Sequence, residues 1–531
     1  MPLDRPSMRL AVSAVLFCLP PAALAQPQPS AQNAETRAAH ALEQARRQGP
    51  LALYAFFEHM PKGADLHTHL AGAVYAETFI REAADDNLCI NSKTLTLYKP
   101  AATTRSLPHQ PVCGEEGEPA TNALTHQKLY DQLLDKFSMR TFVPVTAESG
   151  HDHFFASFDQ FQAVENPSHV GEWVDELATR AAEQNEQYLE IMNTPTFAPA
   201  LALAGSLGPI DLETDFAHLR QQLLDAGLRK YLPAMQAEFE AGERNRRERE
   251  HCGTSSQATP ACEVEVRFLY QVLRALPSPA VFIQLVCGFE LASENPLVVG
   301  INMVQPEDWR VVLANYRLQM QMVHALHLLY PKVHITLHAG ELSAGMVPPD
   351  DLRFHVRSAV EVANAERIGH GVDVMQEDHP YDLLKEMAAR RIMTEINLTS
   401  NDVILNVKDA NHPLPLYRLY HVPVALSTDD EGVSRINLTH EYVRAAISYP
   451  LTYSDFKNMV RTGLEHGFLP GESLWDQSGP WENYAHGRAA CHAQLGHEQA
   501  TGACAALLEG SEKARQQFEL ERRFHAFENT F

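Results

Sequence analysis

Long apolar runs are what this sequence has least of. After the first thirty residues no stretch approaches the ~18 uninterrupted apolar residues of a membrane helix, so no membrane anchor is expected. Positive charge is also short: 43 Lys and Arg stand against 67 Asp and Glu, a formal net charge of −24. A nucleic-acid binder neutralises phosphates with Lys and Arg, so this balance argues against nucleic acid as a partner. The single basic run, Arg244 to Arg249, is interleaved with glutamates and reads as a solvated helix face.

Cysteine is sparse, at eight in 531 residues. The first 25 residues have a secretory pattern: Arg5 and Arg9, the apolar stretch Leu10 to Leu19, then Ala23-Leu24-Ala25 as a small-residue cleavage site. The expectation is export to the periplasm or beyond, with cleavage after about Ala25. Bulky Phe17 before Cys18 speaks against lipidation. Without Cys18, six of seven cysteines fall into local pairs, Cys89 with Cys113, Cys252 with Cys262 and Cys491 with Cys504. Export makes these disulfide candidates, and seven reduced cysteines is the alternative. Cys287, inside an apolar run, reads as a buried thiol.

The stretch Ala64 to Leu70 carries His67 and His69. Spaced i, i+2 on a strand they share a face, a natural start for a metal site. Further strand-like runs follow at Tyr188–Thr194, Val281–Cys287, Leu297–Val304, His334–His338, Arg367–Val372, Met393–Leu398 and Pro423–Ser427. Eight strands separated mostly by helix-length sequence predict parallel βαβ units closed into a TIM-type (β/α)8 barrel. The predicted organisation is a signal peptide over 1–25, a disordered leader over 26–34 and an N-terminal helical segment over 35–60. The barrel takes 61–475, with insertions near 89–120 and 240–263, and a helical extension takes 476–531.

Barrel enzymes build their sites at the C-terminal ends of the strands. There the sequence places His67, His69, His338, His370 and Asp429, five polar residues that are costly to bury without a shared partner. His67, His69, His338 and Asp429 suit Zn²⁺ with one position open to water, and zinc lowers the pKa of such a water toward neutrality. Glu341, three residues after His338, is assigned proton transfer; His370 and Asp430 would orient or deprotonate the water. The chemistry implied is hydrolysis or hydrolytic deamination. Two-metal barrel hydrolases commonly bridge their ions with a modified lysine on the fourth strand; Val298 to Val304 has none, so one zinc per chain is expected.

The segment from Met60 to Ala73, with His338-Ala339-Gly340-Glu341, Arg367-Ile368-Gly369-His370-Gly371, Thr399-Ser400-Asn401 and Ser427-Thr428-Asp429-Asp430, closely resembles the motifs of the adenosine deaminase family, in order, from about Pro61 to Pro470. The signal-like start, the Lys62-Gly63 pair and the insertions look most like its secreted, growth-factor-related subfamily. The resemblance implies a zinc barrel in which His67, His69, His338 and Asp429 ligate the metal and Glu341 protonates purine N1. His370 and Asp430 would handle the attacking water, and ammonia would leave from C6. It further implies purine contacts from the Gly340 backbone and a lid in which Phe154 and Phe158 cover the base; core packing of that pair at i, i+4 is the other reading. Two positions depart from the cytosolic members, Ala71 for a ribose-binding aspartate, and Asn302 with Gln305 for an aspartate and a purine-contacting glycine. Gln305 is therefore a substrate-contact candidate, and the sugar and purine contacts are this chain's own.

The expected reaction is deamination of adenosine, and of 2′-deoxyadenosine, to the inosine product and ammonia. The alternatives are a related zinc barrel acting on another 6-aminopurine, or a non-catalytic nucleoside-binding or signalling protein. The expected partner is a small purine nucleoside, and by analogy with the family a homodimer through the N-terminal helices. His59, His109, His126, His151, His153 and His169 read as surface or loop histidines, and Trp173, Trp309 and Trp475 as packing.

Overall fold

A computed structural model describes residues 34–100, 105–107, 110–145, 148–254, 256–476, 484 and 487–531. The secretory pattern and nearly all of the leader lie outside the described residues. Eight parallel strands follow in chain order around one sheet: β1 Gly63–His69, β2 Glu186–Asn193, β3 Glu265–Leu273, β4 Val298–Val304, β5 His334–Ala339, β6 Arg367–His370, β7 Met393–Ile396 and β8 Val424–Leu426. The ring closes just past β8, where Asp429 N–H donates to His67 O (2.8 Å) and Asp429 O accepts from His69 N–H (3.0 Å). The helices that matter to the site are α1 Ala34–Gln48, α2 Pro50–His59, α3 Gly150–Phe161, α4 Val170–Glu183, α5 Leu232–Arg249, α6 Ser278–Glu294, α7 Arg310–Leu329, α8 Leu398–Leu405, α9 Leu438–Ser448, α10 Tyr453–His466 and α11 Glu512–Glu528.

One predicted strand is a helix. Val281–Cys287 lies inside α6, and the third strand is Glu265–Leu273. Every residue of α6 from Ala280 to Leu291 is buried. A helix covered on all sides carries no amphipathic period, and a short apolar run cut from it looks like a buried strand. Pro279 in the first turn of α6, where its missing N–H costs nothing, is the local mark of the helix start. β3 in turn shows the alternation of a strand, with Val266, Phe268, Tyr270 and Val272 buried.

The long first crossover holds a three-stranded antiparallel sheet (Cys89–Asn91, Leu97–Tyr98, Gly117–Pro119) and then α3. Ser149 caps α3 in a reciprocal capping box with Asp152. Disulfides join Cys89 to Cys113, Cys252 to Cys262 and Cys491 to Cys504, while Cys287 is free and buried. Among the described residues no helix is long and apolar enough to cross a membrane.

Inside the barrel one buried cation ties three strands together. Arg367 on β6 reaches Glu395 on β7 (2.6 Å) and Glu190 on β2 (2.7 Å), and all three side chains are shut off from solvent. A buried guanidinium is tolerable only with such compensation. Glu395 carries that charge upward to the histidines.

Candidate metal centre and active site

β1 puts His67 and His69 on the barrel's inner face, β5 brings His338, β6 ends in His370, and the turn after β8 brings Asp429 and Asp430. All six are buried. His69 Nε2 lies 3.1 Å from His338 Nε2, and Asp429 Oδ1 lies 3.3 Å from His67 Nε2 and 3.2 Å from His69 Nε2. Donor atoms of His67, His338, His370 and Asp429 fall within 4.8 Å of one another, as do those of His69, Asp429 and Asp430. The backbone bends to achieve this: His370 (φ +68°) and Asp429 (φ +64°) sit in the left-handed region, a strain characteristic of functional sites. Two glycines make room. A Cβ at Gly369 would lie 2.5 Å from the His67 ring, and one at Gly72 would collide with the Asp430 carboxylate.

Which imidazoles can hold a metal follows from what stands behind each ring, because the partner of one nitrogen sets the state of the other. His67 Nδ1 faces Glu395 Oε2 (2.6 Å), His69 Nδ1 faces Gln271 Oε1 (2.6 Å) and His338 Nδ1 faces Asn302 Oδ1 (2.7 Å). Each partner is an acceptor, so each Nδ1 carries a proton and Nε2 is the nitrogen left for a metal. His67 Nε2 is buried with no hydrogen-bond partner. His370 is the reverse case: its Nδ1 meets the amide nitrogen of Asn401 at 2.9 Å. Three imidazole Nε2 atoms and one carboxylate are the donor set of a catalytic zinc, and the residues fit that ion with His370 outside the set.

The electrostatics divide the acids by task. Burial pushes the Glu395 carboxyl up, but Arg367 and the His67 imidazole hold it at about 2. Burial, with Asp429 and Glu307 close by, pushes Glu341 well above the usual carboxylate range, so it keeps a proton to give. Burial, opposed by His69 and reinforced by Asp429, brings Asp430 to about 7, and its Oδ1 has no protein partner. Burial, opposed by Asp429, takes His370 down to about 3 and leaves it neutral.

Glu307, absent from the sequence reading, holds the loop that carries Glu341. Its oxygens accept from the N–H groups of Gly340 (3.0 Å) and Glu341 (2.8 Å), and His355 Nδ1 donates from beneath. Arg274 donates to His338 O (3.2 Å) and to Gln305 O (2.9 Å). Gln305, the expected substrate contact, turns its side-chain oxygen to Ala275 N–H (2.8 Å). Asn302, noted as a departure, proves to be the partner of His338. Phe154 is buried and Phe158 half-buried; their rings pack on each other at 5.9 Å and on Phe155 and Phe161 at 5.3 and 5.4 Å.

Above the strand ends a cavity of about 890 Å³ opens between the first turn of α3 and the segments after β4, β5 and β7. His151, read from sequence as a surface or loop histidine, lines it and pairs with Asp308 (3.1 Å); Lys408 pairs with Asp402 (3.1 Å).

Parts of the chain are similar to known proteins. The adenosine deaminase family model matches residues 254–474. Adenosine deaminases of Clostridium perfringens and Escherichia coli are 32% and 36% identical over 142 and 140 residues, 26% of this chain. The matched segment is 39% of the length of either relative. Arabidopsis ADAL complexed with GMP and the ADAL–IMP complex share the fold, each with TM-score 0.50, 18% and 20% identity, and coverage of 78% of this chain and 94% of theirs. His67 and His69 lie outside the segment matched by the family model, and it is the barrel that brings them to the rest. Residues 254–474, which carry His338, Glu341, His370, Asp429 and Asp430, are thus the part of the chain that is similar to the adenosine deaminase family.

Proposed function

We propose that the chain deaminates a 6-aminopurine by hydrolysis, with adenosine and 2′-deoxyadenosine the favoured substrates. The observation that carries the reading is the sorting of four histidines into three whose Nδ1 faces an acceptor, which leaves Nε2 for a metal, and one whose Nδ1 faces a donor, next to a carboxylic acid held protonated. A zinc ion held by His67, His69, His338 and Asp429 would supply an activated water at neutral pH. Glu341, braced by Glu307, gives its proton to purine N1, which makes C6 electrophilic. His370 and Asp430 flank the attacking oxygen, to orient it and to take its proton, and the 6-amino group leaves as ammonia.

Taken as the approach to the site, the cavity beside the strand ends, lined by neighbours of Glu307, Glu341 and Asn401 and by none of the metal-centre residues, favours a nucleoside over a nucleotide. The two basic side chains lining the cavity, His151 and Lys408, are each paired with an aspartate, and Asp152 adds a third carboxylate. A 5′-phosphate entering this field is repelled. The ADAL structures hold GMP and IMP; here AMP is expected to show a kcat/KM at least roughly tenfold below that of adenosine, more at low salt.

The test is ammonia release by the zinc-loaded chain from adenosine, 2′-deoxyadenosine, adenine, AMP and guanosine. Turnover of adenosine that is lost on chelation and restored by zinc supports the reading. Activity confined to AMP or adenine keeps the deaminase and rejects the nucleoside. Silence on all five with zinc bound rejects the reaction and favours a binding protein.

A further inference from the structure

His370 owes its state to a chain of hydrogen bonds that starts outside the metal centre. His412 lies in the loop after α8, is buried, and has its Nδ1 3.1 Å from the backbone N–H of Leu414. A backbone N–H can only donate, so His412 Nδ1 is an acceptor and the single proton of the neutral ring sits on Nε2. Burial keeps the ring neutral, its pKa down at about 3. His412 Nε2 lies 3.0 Å from Asn401 Oδ1, which takes that proton in a hydrogen bond. The amide is thereby turned: its oxygen faces His412, and its nitrogen, which has only hydrogens to offer, faces His370 Nδ1 at 2.9 Å. Asn397 Nδ2 adds a longer approach to the same ring, at 3.4 Å from Nδ1 and 3.5 Å from Nε2. Glu341 Oε1 lies 3.7 Å from Nδ1, beyond hydrogen-bond reach.

We infer that His412 is a positioning residue that sets the tautomer of His370, by turning Asn401 so that His370 keeps its proton on Nε2 and presents it toward Asp429. The His370 Nε2 to Asp429 Oδ2 separation is 3.9 Å, leaving this N–H free for an incoming oxygen. Two consequences follow. A nitrogen that carries a proton is not a metal ligand, so His370 stays out of the donor set although it stands among the ligands. It also cannot accept the proton of the attacking water; it donates a hydrogen bond to that oxygen, and the proton passes to Asp430. The tautomer stands on the hydrogen bonds alone, whereas the division of labour between His370 and Asp430 rests on the proposed function.

The experiment is long-range ¹H–¹⁵N correlation spectroscopy on the full chain labelled with ¹⁵N-histidine, with and without zinc, alongside steady-state kinetics. Wild-type His370 is expected as a single neutral Nε2–H tautomer. His412→Ala is expected to abolish that single-tautomer pattern and to lower kcat about tenfold or more, the usual range for outer-shell partners, with KM and zinc stoichiometry held. His412→Gln, whose carbonyl can take the Leu414 N–H and whose amide can serve Asn401, is expected to restore both. Asn401→Asp, near-isosteric, replaces the donor with an acceptor and should move the His370 proton to Nδ1; it carries the test if His412→Ala does not fold. An Nδ1–H tautomer in the wild-type chain, or a His370 signature unchanged by both substitutions, overturns the inference. A chain silent on every purine but with His370 as Nε2–H would sink the proposed reaction and leave the tautomer assignment standing.

Discussion

The oxygens behind His67, His69 and His338 differ in chemistry, and the difference is measurable. Glu395 is a full charge, shared between His67 and the buried Arg367, whereas Gln271 and Asn302 are neutral amides. Glu395→Gln can still accept from His67, but it removes the charge that makes the imidazole a strong ligand and leaves Arg367 with Glu190 alone. Zinc affinity measured by chelator competition should fall roughly 10- to 100-fold, together with a lower thermal midpoint from the undercompensated guanidinium. Glu341→Gln acts differently. It cannot give a proton to N1, so turnover should fall by about 10² or more while zinc stays bound; near-normal activity would sink the assigned mechanism. At this scale the sequence was readable where chemistry is concentrated in short motifs. His67, His69, His338, Glu341, His370, Asp429 and Asp430 each stand in or just after an apolar strand, in a recognisable order. Their partners Gln271, Asn302, Glu307, Glu395 and His412 were not, because each comes from a different strand or loop and is defined only by the fold. Asn302 showed only as a departure from the family pattern, and Glu395 left a trace as a carboxylate inside the otherwise uncharged strand Met393–Ile396.

At the scale of elements, seven of the eight barrel strands lie where alternation or short apolar runs place them. The third was displaced by α6, whose all-round burial erases the period that distinguishes helix from strand. Elements packed that tightly also bury groups that titrate. Glu441 on α9 is fully buried against α8, accepting from the Thr399 N–H (3.2 Å) and bonded to the Thr399 hydroxyl. Burial, opposed by the Thr399 bonds and by Arg444, raises its pKa from 4.5 to about 7. A carboxyl with a raised folded pKa contributes its stability in full below the unfolded value, near 4.3, and loses it as pH rises toward 7. Glu441→Gln removes the titration and keeps the shape. The variant should match wild type at pH 4 and be the more stable by on the order of 3–4 kcal/mol at pH 8, read as the difference in urea midpoints. A gap that does not widen with pH would rule out Glu441 as the titrating group.

At the scale of the whole molecule, the three disulfides each clip an excursion and none crosses the barrel. Cys89–Cys113 closes the antiparallel sheet of the first crossover, Cys252–Cys262 follows α5, and Cys491–Cys504 ties the segment before α11. Loops of this size are worth roughly 3 kcal/mol each through the unfolded state, so reduction should lower the thermal midpoint while the proposed metal centre, which shares no strand with them, keeps its capacity to bind zinc. Cys287 is enclosed in α6, and burial pushes its thiol up to about 12. A native chain processed after about Ala25 should therefore give no reactive thiol, and the same chain denatured without reductant should give one. Two would mean that Cys18 is retained and the expected cleavage did not occur. Seven or eight would show the three pairs reduced and remove the disulfides as evidence for export, while leaving the barrel and its histidines as they stand.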